Sequence, residues 1–225
     1  MEPKEFHWPF SAVYSWLTCF MEAGYRDLAK RMKIQDAARS LLDLGGGDGR
    51  LSIAIARKYS NLRHIVSGDI SQDMTKRAKR RITYGNLSST ISAECLDMHA
   101  LPYSNAQFDA VVSFGALHHA RSPQVMLLEA HRVLRPGGYM CMIDGYDRPS
   151  FSTIRKAVRD FGGSFAAAIA YWCGSKDCLS HDAIASLVSN ESLPDITVVF
   201  DGLLATISGT KTTMKNEAIE QRCPG

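Results

Sequence analysis

The chain has 225 residues, of which 45% are hydrophobic and 22% charged, and its 26 basic against 23 acidic side chains leave a net charge of +3. That profile fits one globular domain with a sizeable core and excludes acidic tails, collagen-like chains and low-complexity chains. A dedicated nucleic-acid binder would carry a stronger basic excess, so nucleic acid is not expected as a partner. Cys19, Cys95, Cys141, Cys173, Cys178 and Cys223 are irregularly spaced, and the opening MEPKEF lacks the apolar core of a secretory leader. No run reaches the roughly 18 apolar residues of a membrane span; FAAAIAYWC at 165–173 is half that. These features predict a cytoplasmic protein with reduced thiols and no membrane span.

Residues 1–38 predict a helical appendage that closes as a lid, with Val13, Leu17, Phe20, Met21, Leu28 and Met32 at helical spacing behind Pro9. From residue 39 the pattern becomes strand and helix in turn. SLLDL (40–44) predicts a strand, GRLSIAIARKY (49–59) a helix and HIVSGDI (64–70) a strand. SQDMTKRAKRRI (71–82) follows as a helix capped by Ser71. TISAECL (90–96) and FDAVVSFG (108–115) are strands, PQVMLLEAHRVL (123–134) is a helix stopped by Pro136-Gly137-Gly138, and YMCMIDG (139–145) is a fifth strand. Continuous apolar runs mark strands covered on both faces. Residues 146–190 predict a helical insertion on the substrate side, with a helix start at SHDAIASLV (180–188). DITVVF (195–200) and LLATISG (203–209) close the domain as a hairpin across Asp201-Gly202. Residues 214–225 predict a loose tail after a domain spanning 39–213. The fold class is α/β: a Rossmann-like, doubly wound, mostly parallel seven-stranded sheet with an antiparallel C-terminal edge hairpin.

The most informative string is LLDLGGGDGR, where a buried strand runs through Gly45, Gly46, Gly47, Asp48 and Gly49 straight into a helix. Glycines there let a ligand approach the backbone, next to the free N–H groups of a helix N-terminus. A dinucleotide fingerprint requires a third glycine where Arg50 stands, which disfavours a nicotinamide-linked oxidoreductase.

Glycines at relative positions 1, 3 and 5, with Asp43 two residues ahead, resemble motif I of the class I S-adenosylmethionine-dependent methyltransferases. The likeness continues in order through Asp69 with Ile70 in SGDIS, Asp97 with Met98 in ECLDMHALPY, and the stretch FDAVVSFGALHHARSPQVMLLEAHRVLRPGGYMCMID. It covers roughly 40–145 strongly and 180–212 loosely. The resemblance implies S-adenosylmethionine as cofactor, with S-adenosylhomocysteine as its product. It implies Asp69 on the ribose hydroxyls, Asp97 at the adenine amino group and Met98 against the ring. Asp43, Gly45, Gly46, Gly47, Ile70, Ser113 and Phe114 complete the implied cofactor set.

The acceptor is harder to read, because methyl transfer needs alignment and dryness, and a base only where the acceptor loses a proton. His118 and His119 follow the fourth strand and are candidates for a base or a substrate contact, against a plain role as a polar cap. Tyr14, with Trp16, is either a lid residue facing the acceptor or a core aromatic. Asp144, Tyr146 and Arg148 form another edge of the cleft. Ser113-Phe114-Gly115-Ala116 stands where enzymes acting on an exocyclic amino group of adenine or on a glutamine side chain carry Asn/Asp-Pro-Pro-aromatic, so those acceptors are demoted. KRAKRR (76–81) is either a contact for phosphates or, as the leading reading, a solvated helix face. Cys173, Cys178 and His181 lack standard zinc spacing, so no metal site is predicted.

The leading expectation is a methyltransferase acting on a small-molecule, lipophilic acceptor. A non-catalytic S-adenosylmethionine-binding module, or an enzyme for a thiophilic metalloid, remain alternatives. Oligomeric state is left open.

Overall fold

The computed structural model describes residues 22–146, 155, 178–189 and 193–212. Seven strands form one sheet: β1 (Ser40–Leu44), β2 (His64–Asp69), β3 (Ile91–Cys95), β4 (Phe108–Phe114), β5 (Leu134–Gly145), β6 (Ile196–Asp201) and β7 (Leu204–Thr210). Their spatial order is β3-β2-β1-β4-β5-β7-β6. The first five pair in parallel, and β7 runs antiparallel to both β5 and β6. The helices are α1 (Glu22–Arg31), α2 (Arg50–Lys58), α3 (Gln72–Tyr84), α4 (Pro123–Val133) and α5 (His181–Val188).

Both faces of the sheet are covered, which explains the uninterrupted apolar strands. Neighbouring residues point to opposite sides. Leu41, Ile65, Ala110 and Val112 pack with α1, α2 and α3, whereas Leu42, Val66, Val111 and Met140 pack with α4 and α5. The capping serines match their sequence signals: Ser71 accepts from Met74 N and Ser180 from Ala183 N.

Three boundaries differ from the sequence reading. Pro136-Gly137-Gly138 neither ends α4, which stops at Val133, nor precedes the strand; it lies inside β5, with Gly137 N–H bonded to Lys211 O at 2.7 Å and Lys211 N–H to Gly138 O at 2.9 Å. The turn joining β6 to β7 is Gly202-Leu203, one residue later than expected, with Asp201 opposite Leu204. Within the segment read as an appendage, Tyr25, Leu28, Ala29 and Met32 belong to the main core. Residues 1–21, most of 147–177 and 213–225 lie outside the described residues, so Tyr14, Trp16 and the tail are not placed. Among the described residues no helix is long and apolar enough to cross a membrane.

Strand order reverses between β1 and β4. In such sheets that reversal opens a crevice at the carboxyl ends of the strands, the usual place for a ligand.

Candidate functional site

The glycine loop leaves β1 at this crevice. Gly45 has φ +69°, and a side chain there would collide with the Ala116 methyl. Gly47 has φ +54°, and a Cβ would meet nothing within 4 Å, so the loop backbone fronts open space at that point. Gly46 N–H holds the loop to β2 through Gly68 O at 2.9 Å.

Asp43 lies beneath the loop, fully buried. Its Oδ2 accepts from Ser52 Oγ at 2.6 Å, while Oδ1 and the nearby Ser67 Oγ are buried with no hydrogen-bond partner among the described residues. Burial pushes the Asp43 carboxyl up to about 7; the Ser52 hydrogen bond opposes this and the Asp69 charge adds to it.

Asp69 ends β2 and draws together two loops: Oδ2 accepts from Gly47 N–H at 2.9 Å and Oδ1 from Ser71 N–H at 2.8 Å. Burial raises this carboxyl above its ordinary range against those two bonds. Ile70 follows it, half-buried, its carbonyl accepting from Cys95 Sγ at 3.3 Å.

Asp97 follows β3. Oδ1 accepts from His99 N–H at 2.9 Å and lies 2.7 Å from His99 Nδ1, and Oδ2 accepts from Arg121 Nη2 at 2.6 Å. Desolvation works to raise this carboxyl, but His99 and Arg121 together hold it below its usual value. Met98 packs partly buried against the second core layer, on the side of Gly45 and Ala116.

Ser113 and Phe114 close the crevice from β4. Ser113 is buried and donates its hydroxyl to Leu44 O at 2.7 Å, so that group ties β4 to β1. Phe114 meets the edge of Tyr25 at 6.0 Å, and both rings line a small cavity with Asp43, the glycine loop and Leu51.

Beyond β4 a 3-10 turn, Leu117–His119, carries the histidine pair. His118 N–H donates to Asp144 Oδ2 at 3.1 Å, and its Nδ1 lies 2.7 Å from Asp144 Oδ1. Both side chains are 3% exposed. The exposed His119 ring lies 3.9 Å from that of His118.

Four partners escaped the sequence reading. Tyr25 shares the helical spacing of Leu28 and Met32, and this pattern could have placed it. His99 stands two residues after Asp97, a spacing that allows a local carboxylate turn. Arg121 carried no local signal. Arg81 was read as part of a solvated face, yet its Nη2 bonds Asp48 Oδ2 at 2.8 Å and its Nε bonds Asp48 O at 3.1 Å. Asp48 also accepts from Arg50 Nε at 3.1 Å. It therefore anchors the loop to α2 and α3.

Past β5, Tyr146 donates to Gly202 O at 2.8 Å, and the His181 ring stacks on Phe200 at 3.8 Å. Cys173 and Arg148 lie outside the described residues. Among the described residues no cluster of three or more His, Cys, Asp or Glu side chains could hold a metal ion.

S-adenosylmethionine fits this crevice. The loop is open at Gly47, acids stand at the ends of β2 and β3, and two buried oxygens beneath the loop have no hydrogen-bond partner among the described residues.

Comparison with known proteins points the same way. Residues 42–142 match the model of a methyltransferase domain. The chain is 26% identical over 168 residues to the 2-phytyl-1,4-naphtoquinone methyltransferase of Nostoc punctiforme, covering 75% of this chain and 73% of that protein. It is 36% identical over 152 residues to the ubiquinone/menaquinone biosynthesis C-methyltransferase UbiE of Blochmanniella pennsylvanica, covering 65% of this chain and 59% of that enzyme. In fold it is similar to a Methanococcus maripaludis protein described as an S-adenosyl-L-methionine-dependent methyltransferase, with a TM-score of 0.71 and 20% identity over 96% of this chain and 98% of that one. With its glycine loop and ordered acids on a seven-stranded sheet, the chain carries a methyltransferase domain over residues 42–142 and is similar to S-adenosylmethionine-dependent methyltransferases, and S-adenosylmethionine is its cofactor.

Proposed function

We propose that this protein methylates a lipophilic, quinone-like small molecule at a ring carbon. The observation that carries the reading is the convergence, at the carboxyl ends of β1, β2, β4 and β5, of the open glycine loop, Asp69, the His118–His119 pair and Asp144. The named activities of the quinone methyltransferases similar to this chain support it.

When bound, S-adenosylmethionine supplies a methyl group already activated on a sulfonium. The chain's work is alignment, exclusion of water and handling of one proton. Asp69 holds the ribose hydroxyls with the acceptor sites its two backbone bonds leave free. Asp97 takes the adenine amino group with its remaining acceptor capacity, while Met98 covers the ring. The open backbone at Gly47 meets the amino-acid end, and Phe114 and Tyr25 shield it from water.

In a ring methylation the carbon that would receive the methyl group gives up its hydrogen as a proton. His119, exposed at the crevice, accepts that proton. His118 lies beneath it in an orientation fixed by Asp144. Because the Asp144 carboxylate is an acceptor, Nδ1 of His118 carries the hydrogen between them.

The test is S-adenosylhomocysteine release with reduced quinols, set against phenol, amine and thiol panels, alongside calorimetry of cofactor binding. Turnover on quinols with a new ring-carbon methyl is expected. Turnover confined to amines or thiols would overturn the acceptor class, and cofactor binding without turnover on any panel would favour a binding module.

A further inference from the structure

Charge is segregated in this molecule. Helices α1, α2 and α3 carry eleven Lys and Arg against three acids, a net +8 on a chain whose total is +3. All three pack on the same face of the sheet.

Between them lies a groove of about 290 Å³, close to the lower end of the range of small-ligand sites. Arg26 from α1, Arg50 and Arg57 from α2 and Arg81 from α3 line it, and among the described residues Glu22 is the one acid on its wall. Arg50 and Arg81 are fixed by Asp48. Arg26 and Arg57 are exposed and make no hydrogen bond or ion pair with any described residue. Guanidinium groups gathered at one concavity repel one another unless an anion completes the set, and their planar donors match phosphate oxygens two at a time. Tyr84, 94% exposed, stands at the rim, where its ring can cover a bound group.

We infer that this groove is a binding site for a phosphate-bearing small molecule, a phosphomonoester or a diphosphate, separate from the cofactor crevice. It does not rest on the methyl-transfer reading. Through Asp48, which grips both Arg50 and Arg81, the site shares a wall with the glycine loop.

The experiment is calorimetry of the full chain at low salt with inorganic phosphate and inorganic pyrophosphate as probes. Arg26→Ala/Arg57→Ala is compared with Lys76→Ala/Lys79→Ala, which removes equal charge from α3 away from the groove. Saturable one-to-one binding is expected, weakened about tenfold or more in the arginine variant and less than threefold in the lysine variant. Binding of S-adenosylmethionine should be unchanged in both, because none of the four residues touches the crevice. If the double variant misfolds, Arg57→Glu alone gives the same reading. No saturable binding to the wild type, or equal loss in both variants, overturns the proposal.

Vesicles of phosphatidylglycerol and phosphatidylcholine identify the source of the phosphate. Vesicle binding that pyrophosphate displaces and the arginine variant loses assigns the groove to a lipid headgroup. Pyrophosphate binding without vesicle binding assigns it to a free phosphate compound. Vesicle binding that survives the arginine variant, with no pyrophosphate binding, is diffuse attraction and overturns the site.

Discussion

His118 and Asp144 are joined twice, through the backbone N–H at 3.1 Å and the imidazole Nδ1 at 2.7 Å, and this link ties the turn after β4 to the end of β5. Asp144 Oδ1 also accepts from Gly145 N–H at 2.7 Å. Asp144→Ala removes the acceptor from several buried donors, so unfolding by urea should show a loss of roughly 2–4 kcal/mol. Asp144→Asn keeps the shape and one acceptor oxygen, and should lose less. Equal, negligible losses would mean the pair holds nothing in place.

His119 projects from that platform and carries the chemistry under the proposed reaction. His119→Ala should lower kcat roughly 100-fold, with KM for S-adenosylmethionine and the unfolding midpoint unchanged. A drop confined to the acceptor's KM would make it a binding contact instead.

Asp43 sets a pH dependence of stability. Its carboxyl is near 7 in the folded chain and near 4 when unfolded. The folded state therefore keeps a proton that the unfolded chain releases. The resulting stability is fully present below about pH 4 and is lost as pH rises to about 7. Asp69, also raised, acts with the same sign. Asp43→Asn cannot ionise, so its melting temperature should exceed that of the wild type at pH 8 and the gap should close toward pH 4. Parallel melting curves across that range would refute the shift.

At the opposite end of the sheet, Asp109 accepts from Arg39 N–H, Ser40 N–H and the Ser40 hydroxyl at 2.8–2.9 Å and from Arg135 Nη1 at 2.6 Å. Desolvation raises its carboxyl, but these bonds outweigh it and hold the group below its ordinary range. The stability it adds is present above about pH 4 and is lost as pH falls through the lower folded value. Asp109→Asn should lower the melting temperature at pH 7 and flatten the acid limb, while cofactor affinity stays the same. Weakened cofactor binding would show that this end of the sheet communicates with the crevice.

Asp48 is a brace for the glycine loop. Its side chain is 2% exposed, and it binds Arg50, 4% exposed, and Arg81, 31% exposed. Breaking a buried charge cluster costs roughly 3–5 kcal/mol, so Asp48→Ala should unfold far more easily than Arg81→Ala. Both should weaken S-adenosylmethionine binding by freeing the loop. Full affinity in a folded Asp48→Ala would deny the brace its part in the site.

What could be read from the sequence was local. A run such as SLLDL, a glycine spacing or a serine before a helix acts within a few residues, and β1, the loop and the caps at Ser71 and Ser180 formed as those signals predict. Pairings across space were not legible. Arg81 sits beside the buried stripe of Ala78 and Ile82, and only the meeting of α3 with the loop, 33 residues away, decides that it faces Asp48. Arg121 reaches Asp97 across 24 residues for the same reason. The Pro136-Gly137-Gly138 break was misplaced because its backbone irregularity is absorbed by pairing with Lys211 in a distant strand.

The order β5-β7-β6 also bears on synthesis. During N-to-C growth β6 emerges before β7, yet it can join the sheet only through β7. Until the last strand leaves the ribosome, β5 presents a bare edge from Tyr139 to Gly145, the segment that carries Asp144. Open edges of that kind invite pairing with other chains. A nascent or truncated chain ending before Leu204 would therefore be prone to aggregate and would lack the support that fixes the far wall of its crevice.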